Sequence, residues 1–187
     1  MSPLFLVEVL AGLLVIVGLF VVIVLNVLAS GPKGPQRFKV RMVGPEYFDS
    51  AASFAASAEI AVSAPIEKVW SQVSKGDYLD ALPFVSGPRR SGDALTTRTP
   101  LLALSEKVVR SEQLRELVAI GTGLSVPLVV SSFGERWLLD TEGEHVRVRW
   151  TVAFTPRWIG WLPLRWTAFA VRPVLKFVLA ATIRRIA

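Results

Sequence analysis

Three glutamates and one histidine are the side chains that we single out as candidates for acid–base chemistry. Glu106, Glu112 and Glu135 lie in segments that read as strands, and acids paired across neighbouring strands form an acid–base site. The alternative is that they are solvated charges on the strand surfaces. None of them, and neither serine of Ser131-Ser132, stands in the flanking sequence of a known nucleophile or zinc motif. We therefore assign no catalytic residue from the sequence.

The cysteine and histidine content excludes most other catalytic centres. The chain of 187 residues has no cysteine, which excludes disulfides, thiolate metal sites, iron–sulfur clusters and cysteine nucleophiles. The single histidine, His145, provides no imidazole cluster for zinc, and it follows TEGE at a predicted hairpin turn, where we expect it to be exposed. We accordingly expect neither a metal nor a cofactor.

The positive charge of the chain is concentrated near its C-terminus. Lys and Arg together number 21 against 15 Asp and Glu, which gives a net charge of +6. Residues 146–187 carry eight of these basic residues and no acid. Nucleic acid and an anionic membrane both attract a basic surface, but these residues are interleaved with bulky aliphatic ones and no nucleic-acid reader motif is present. We therefore expect no nucleic-acid partner.

Residues 1–29 are predicted to form a transmembrane anchor. The apolar run from Leu4 to Ala29 would span about 39 Å as one helix, against a hydrocarbon core of roughly 30 Å. A cleaved signal peptide is the alternative, but no Lys or Arg precedes the run and the run is too long. Four basic residues follow it closely: Lys33, Arg37, Lys39 and Arg41. The positive-inside rule then predicts a single-pass membrane protein whose C-terminal domain is cytoplasmic.

Residues 30–55 are predicted to be a linker, because glycines and prolines among residues 31–35 stop the helix. Within RFKVRMV the basic residues alternate with apolar ones, which indicates an extended segment. This segment is either an edge strand packed on the domain or a stretch that lies among lipid headgroups. We assign its basic residues and Lys33 to the membrane interface. Tyr47, Phe48 and Phe54 indicate that the later linker docks on an apolar surface.

Residues 56–187 read as one α+β domain. Alternating apolar residues predict strands at 58–62 and 145–154, the second of them joined by a turn to the strand-like GERWLLD. The chain closes with a predicted helix over 164–186, which Pro173 should kink or break. One helical layer packed on a curved antiparallel sheet is the expected architecture.

Several segments of this domain resemble one protein family. They are AEIAVSAPIEKVWSQVSKGDYLDALPFV, SEKVVRSE, FGERWLLDTEGEHVRVRWTVAFTP and RPVLKFVLAATIRRI. They resemble the START-like superfamily, also called SRPBCC or polyketide cyclase/dehydrase and lipid-transport proteins, over about residues 56–187. The resemblance implies a helix-grip fold, in which a seven-stranded antiparallel sheet wraps a long C-terminal helix around an apolar cavity. The family includes lipid carriers, receptors and cyclases and has no common catalytic motif to transfer to this chain.

Family geometry and alternation together predict which residues line the cavity. The ligand-binding candidates are Trp137, Trp150, Val152, Phe154, Phe169 and Phe177. The apolar stretch GTGLSVPLVVSS, residues 121–132, either extends two strands into the core or forms a lid over the cavity mouth. The expected ligand is an apolar small molecule, either a lipid or a polyketide-like compound.

Three tryptophans near the C-terminal helix suit a membrane surface. Trp158, Trp161 and Trp166 precede or open the helix, and we assign them to the membrane interface, with membrane lipid as a partner. The sequence favours a membrane-anchored protein that binds or transfers a hydrophobic ligand. Two alternatives remain: an accessory subunit of a larger membrane protein complex with no ligand, and a cyclase-type enzyme, which needs polar groups inside the cavity.

Overall fold

The computed structural model describes residues 3–30, 35–76, 78–126 and 129–183. The three α-helices are α1 (Pro3–Ser30), α2 (Ile66–Lys75) and α3 (Ala168–Ile183). The eight strands are β1 (Phe38–Lys39), β2 (Phe54–Val62), β3 (Ser86–Ser91), β4 (Ala94–Arg98), β5 (Ala103–Glu112), β6 (Glu116–Leu124), β7 (Val130–Glu142) and β8 (His145–Pro156). Short 3₁₀ segments cover Pro45–Phe48, Tyr78–Ala81 and Leu164–Thr167.

The strands form one antiparallel sheet in the order β2-β8-β7-β6-β5-β4-β3, and β1 pairs with the end of β6. Each strand pairs with its sequence neighbour from β3 to β8, while β2 joins the far side of β8. The α+β fold predicted from the sequence is confirmed, including the seven strands implied by the family resemblance. The edge-strand interpretation of RFKVRMV is confirmed for Phe38–Lys39, whose partners are Leu124 and Gly123.

The inner face of the sheet carries the main core. Val146, Val148 and Trp150 of β8 are buried on this face, while Arg147 and Arg149 point to the other, as the alternation predicts. Helix α3 packs against β2 and contributes its own buried side chains, which are Ala168, Leu175, Leu179, Thr182 and Ile183. Such a layer removes the apolar face of both elements from water, which is the main favourable contribution to folding.

The linker covers the outer face of the sheet. Tyr47 and Phe48 are buried against Val118 and Ile120 of β6, so this strand is buried on both faces, and the predicted docking of the linker is confirmed. The guanidinium of Arg165 donates hydrogen bonds to three linker carbonyls, those of Phe48 (3.3 Å), Asp49 (2.8 Å) and Ala52 (3.1 Å). The end of the chain thereby ties the linker to the domain.

Helix α1 is apolar and exposed along most of its length. Its segment Leu10–Ser30 is long and apolar enough to cross a membrane, and it is also a candidate signal sequence. Leu164–Ile183 meets the same length and composition criteria, but its buried side chains pack in the domain core. At its C-terminal end α1 contacts the domain, because Asn26 Nδ2 donates to the Pro100 carbonyl at 2.9 Å.

All the segments that surround the contact between Asn26 and Pro100 lie at one end of the sheet. Since the strands are antiparallel, the C-terminal ends of β4, β6 and β8 and the N-terminal ends of β5 and β7 share that end. We call it the anchor end and define it by β1 with its flanking residues 36–42, the turn 98–103, the described residues of 124–131, and 154–163. The opposite end carries the hairpin turns that include Asp93, Glu112 and Glu144.

Two features differ from the sequence prediction. Helix α3 continues through Pro173, so the predicted break does not occur there. The helix type changes earlier in the chain, where the 3₁₀ segment Leu164–Thr167 passes into α3. Proline in the second turn of α3 removes a single backbone hydrogen bond, which packing on the sheet compensates. Strand β3 was not predicted, because its sequence SGPRRS contains Gly and Pro, which ordinarily indicate a turn.

The strand-extension interpretation is confirmed for the two ends of residues 121–132, while the lid interpretation of the residues between them stays a prediction. The first part belongs to β6, which ends at Leu124, and the last part belongs to β7, which begins at Val130. The connection between them lies at the anchor end. Pro127 and Leu128 lie outside the described residues.

Candidate ligand-binding site

A cavity of about 420 Å³ lies on the inner face of the sheet beneath the 3₁₀ segment Tyr78–Ala81. Its walls come from that segment and from five strands or their ends. The lining residues are Tyr78, Leu79, Thr97, Leu102, Leu104, Glu106, Leu124, Val126, Val129, Val130, Phe133, Gly134, Glu135, Trp150, Val152, Ala153 and Phe154. Most are apolar, and none of the described residues of α3 is among them.

The strand register gives the cavity a mouth and a floor. Leu102, Leu124 and Val129 lie at strand ends or in turns of the anchor end, so the cavity reaches this end of the sheet, and we call this part its mouth. Glu135 lies five positions along β7 from Val130, which corresponds to roughly 16 Å at the rise of a β-strand. The floor is therefore formed by Glu135 and its neighbours, and it is the polar part of the cavity.

Both oxygens of the Glu135 carboxyl accept hydrogen bonds from aromatic side chains. The Tyr78 hydroxyl donates to Oε1, and Trp150 Nε1 donates to Oε2 at 3.0 Å. Trp137 lies behind them, stacked on Trp150 with ring centroids 5.2 Å apart and in edge contact with Tyr78 at 4.8 Å. The buried Trp137 Nε1 has no hydrogen-bond partner among the described residues.

The second floor acid, Glu106, has no such partners. Its side chain is buried, and it makes no hydrogen bond or ion pair with any residue of the described part of the chain. Glu106 and Glu135 face the same side of the sheet across β6, whose facing residues are Gly121 and Ala119. A Cβ at Gly121 would lie 2.5 Å from the Phe133 ring, so glycine makes room for this ring in the cavity wall.

Burial changes the protonation of the floor. Desolvation raises the pKa of Glu106 well above its usual value of 4.5, and the nearby Glu135 carboxylate raises it further. Desolvation also raises the pKa of Glu135, but the hydrogen bonds donated by Tyr78 and Trp150 oppose this rise. Burial and the two acids raise the pKa of Tyr78. Of the two acids, Glu106 is therefore the one that retains its proton more strongly.

The cavity contains half of the residues that the sequence assigned to it. Trp150, Val152 and Phe154 line it, whereas Trp137 lies behind Trp150 and is 1% exposed. Two further candidates are corrected by the structure. Phe169 and Phe177 of α3 are 66% and 70% exposed, because the cavity lies under Tyr78–Ala81 and α3 turns Leu175 and Leu179 toward the sheet instead.

Tyr78, Glu106 and Glu135 line the cavity without having been assigned to it from the sequence. A signal for the acids was present in the alternation pattern. Glu106 alternates in phase with Leu104 and Val108, and Glu135 alternates in phase with Phe133 and Trp137, all of which the structure places on the inner face. An acid in the apolar phase of a strand indicates a buried carboxyl.

The other residues singled out from the sequence lie away from the cavity floor. His145 is exposed, as predicted, with its Nδ1 2.8 Å from the Ser63 hydroxyl. Glu112 forms an exposed ion pair with Arg115 at 3.4 Å. The Ser131 and Ser132 hydroxyls donate hydrogen bonds that fix the start of β7. These residues stay apart from the cavity floor.

The predicted membrane-interface residues are exposed where the structure describes them. Trp158, Trp161 and Trp166 are 73%, 80% and 71% exposed. Arg37, Lys39 and Arg41 are also exposed, while Lys33 lies outside the described residues. Arg98 and Arg157 add two more exposed cations at the anchor end, and none of these five forms an ion pair with a described residue. The segments 36–42, 98–103 and 154–163 contain no acid.

Comparisons with known proteins identify relatives of the domain. Residues 52–187 match the family described as polyketide cyclase/dehydrase and lipid transport. A START superfamily protein from Mycobacterium smegmatis has a similar structure, with a TM-score of 0.55 and 14% identity over 71% of this chain and 96% of that one. A hypothetical protein from Helicobacter pylori has a TM-score of 0.59 and 10% identity over 80% and 97%. No curated protein matches this chain by sequence.

Proposed function

The chain belongs to the polyketide cyclase/dehydrase and lipid transport family, and on this premise we propose that it binds an apolar molecule at a membrane and presents or transfers it there. The expected ligand is a lipid or a polyketide-like compound. The observation that carries this proposal is the apolar cavity of about 420 Å³ whose mouth lies at the end of the sheet that α1 contacts. Pockets of this size and lining bind small hydrophobic ligands in other proteins.

The anchor end supports a position against the bilayer. It combines the end of an apolar 21-residue segment with unpaired cations, exposed tryptophans and no acid in its three described segments 36–42, 98–103 and 154–163. Tryptophan favours the headgroup layer, and each basic residue near an anionic surface adds about 1 kcal/mol of attraction. A ligand that leaves the bilayer at this surface would meet the cavity mouth directly. By the positive-inside rule the domain lies on the cytoplasmic side.

The residues predicted to bind the ligand have different roles in this proposal. We propose that Trp150, Val152 and Phe154 contact the ligand and that Trp137 holds the Trp150 ring in place.

The exposed positions of Phe169 and Phe177 are compatible with lipid contact beside Trp166, since all three side chains are apolar and face away from the core.

Filling the cavity should abolish ligand binding. Leu104 lies between the mouth residue Leu102 and the floor residue Glu106, so Leu104→Trp places an indole across the cavity. We expect the amount of apolar molecule that copurifies with the full chain, measured by mass spectrometry of solvent extracts, to fall at least about tenfold. Val109→Trp adds the same side chain at an exposed position of β5 and should leave the bound amount unchanged.

Equal extracts from wild type and Leu104→Trp would contradict ligand binding in this cavity. Recovery of a stoichiometric membrane protein with the wild-type chain, and of no apolar molecule, would favour the alternative function as an accessory subunit of a membrane complex. Thermal unfolding of both variants establishes that the difference reflects the cavity and not loss of the fold.

The membrane position can be measured with nitroxide labels, because the chain has no cysteine of its own. After reconstitution into bilayers with anionic lipid, a label at Trp161→Cys should be reached by oxygen and protected from a nickel chelate. A label at Glu144→Cys, at the opposite end of the sheet, should be reached mainly by the nickel chelate. In intact cells a membrane-impermeant maleimide should modify Glu144→Cys only after lysis.

Equal access of the nickel chelate to both labels would contradict the proposed position of the anchor end. Modification of Glu144→Cys in intact cells would place the domain on the outer side and overturn the cytoplasmic assignment.

A second candidate function is proton-transfer catalysis of the cyclase type. The convergence of Glu106, Glu135 and Tyr78 at the cavity floor favours it, since an enzyme of this kind needs polar groups that face the bound molecule. The two functions differ in their outcome: a binding protein returns its ligand unchanged, whereas an enzyme converts it during incubation, and mass spectrometry of the extracts distinguishes them.

A further inference from the structure

The two acids at the cavity floor differ in what they are free to bind. Glu135 is satisfied on both oxygens by Tyr78 and Trp150. Glu106 is 7% exposed, lines the cavity and has no hydrogen-bond partner in the described part of the chain. A buried carboxyl without a partner is unfavourable for the fold, and a polar atom of a bound ligand would supply the missing partner.

A second polar side chain lies close to Glu106 on the neighbouring strand. Thr97 of β4 is 5% exposed, lines the cavity and likewise makes no side-chain hydrogen bond with a described residue. The register pairs Leu95 with Glu106 and Thr97 with Leu104, so Thr97 and Glu106 are diagonal neighbours on the inner face. Diagonal neighbours in a sheet lie within about 7–8 Å, a gap that one ligand oxygen can bridge.

We propose that Glu106 and Thr97 bind the polar head of the ligand, and that this head is a single uncharged oxygen group, a hydroxyl or a carbonyl, on an otherwise apolar molecule. This inference rests on the proposed function, because it assigns the ligand chemistry of the same cavity. The apolar part of the ligand lies against Trp150, Val152 and Phe154 and extends toward the mouth.

The charge of the floor supports an uncharged head. No Lys or Arg is among the cavity-lining residues in the described part of the chain, so a ligand carboxylate or phosphate meets no cation from these residues. Desolvation and the neighbouring Glu135 raise the pKa of Glu106, which favours its protonated form, and a protonated carboxyl both donates and accepts a hydrogen bond. A ligand ammonium group would have to be desolvated opposite a carboxylate whose two oxygens already accept hydrogen bonds.

The test compares three probes of equal chain length with the full chain in detergent micelles. Equilibrium dialysis measures the binding of radiolabelled 1-dodecanol, dodecane and dodecylamine, and the cavity-filled Leu104→Trp variant supplies the background. Wild type should bind 1-dodecanol about tenfold more tightly than dodecane, the difference expected for about one hydrogen bond. Glu106→Leu should lose this preference, while Glu106→Gln, which retains a neutral donor and acceptor, should keep it within about threefold.

Three outcomes would overturn the inference. Unchanged preference for 1-dodecanol in Glu106→Leu would show that another group binds the head. Tighter binding of dodecylamine than of 1-dodecanol by wild type, lost in Glu106→Gln, would show that the head is cationic. Equal binding of all three probes by wild type and Leu104→Trp would reject the cavity itself, and with it the proposed function. Dodecane binding gives the matched control for folding, because it should survive in both Glu106 variants.

Discussion

Truncation of Trp137 to alanine should lower the free energy of unfolding by about 3–5 kcal/mol, the usual cost of removing a buried aromatic side chain. Trp137 is 1% exposed and contacts both Tyr78 and Trp150, the two donors to Glu135. Its removal leaves a space beside the ligand cavity that these rings can enter only by giving up their hydrogen bonds. Chemical denaturation of the full chain in detergent micelles, followed by near-ultraviolet circular dichroism, measures the change.

The matched control for this substitution is Trp158→Ala. Trp158 is 73% exposed, so its truncation should change the free energy of unfolding by no more than about 0.5 kcal/mol in micelles. Similar losses for the two variants would mean that Trp137 does not hold the floor of the cavity together.

Replacement of Glu106 by glutamine should stabilise the protein, and the gain should grow as the pH rises above about 4.5. The pKa of Glu106 is raised on folding by desolvation and by Glu135, so between the unfolded value of 4.5 and the higher folded value the native state binds more protons than the unfolded state. The stability contributed by this group is complete below pH 4.5 and is lost as the pH rises. Over this range the free energy of unfolding falls as the pH rises, with a slope that reaches about 1.4 kcal/mol per pH unit.

The measurement is the difference in the free energy of unfolding between wild type and Glu106→Gln from pH 4 to pH 8. The titratable groups that face Glu106 are Glu135 and Tyr78, and both remain in the variant. Glu112→Gln, on the same strand but in an exposed ion pair, serves as the control and should give a difference that does not grow with pH in this way. A constant difference for Glu106→Gln across the range would contradict a buried acid at the cavity floor.

Strand faces could be predicted from the sequence, but helix faces could not. Alternation along β8 identifies Trp150, Val152 and Phe154 as inner-face residues, and all three line the cavity. Helix α3 is apolar around most of its circumference, so its sequence does not tell which side meets the sheet. Only the packing of Leu175 toward β2 shows that Phe177 faces outward. A helix that is apolar on several sides has no unique buried face until its neighbours are known.

The linker shows the same limit of local patterns. Its Gly and Pro residues indicate an irregular connection, yet Tyr47 and Phe48 form a second core on the outer face of the sheet. This packing depends on β6 being buried on both faces and on Arg165, which contacts the linker from a distant part of the chain. Contacts of long sequence separation leave no periodic signal in either segment.

The sequence by itself determined the long apolar N-terminal helix, the α+β class and the inner and outer faces of the central strands, because each of these follows from composition or from a period of a few residues, and its quoted segments carried the family resemblance. Only the tertiary structure decided that Glu106 and Glu135 lie on one cavity floor, that the mouth opens beside the end of α1, and that α3 does not line the cavity. These features depend on the register of β5, β6 and β7 and on the space left at Gly121. Short turns and the burial of one face fix the register of each pair, but the placement of β5 and β7 on the two sides of β6, which brings the two acids together, exists only in the folded sheet.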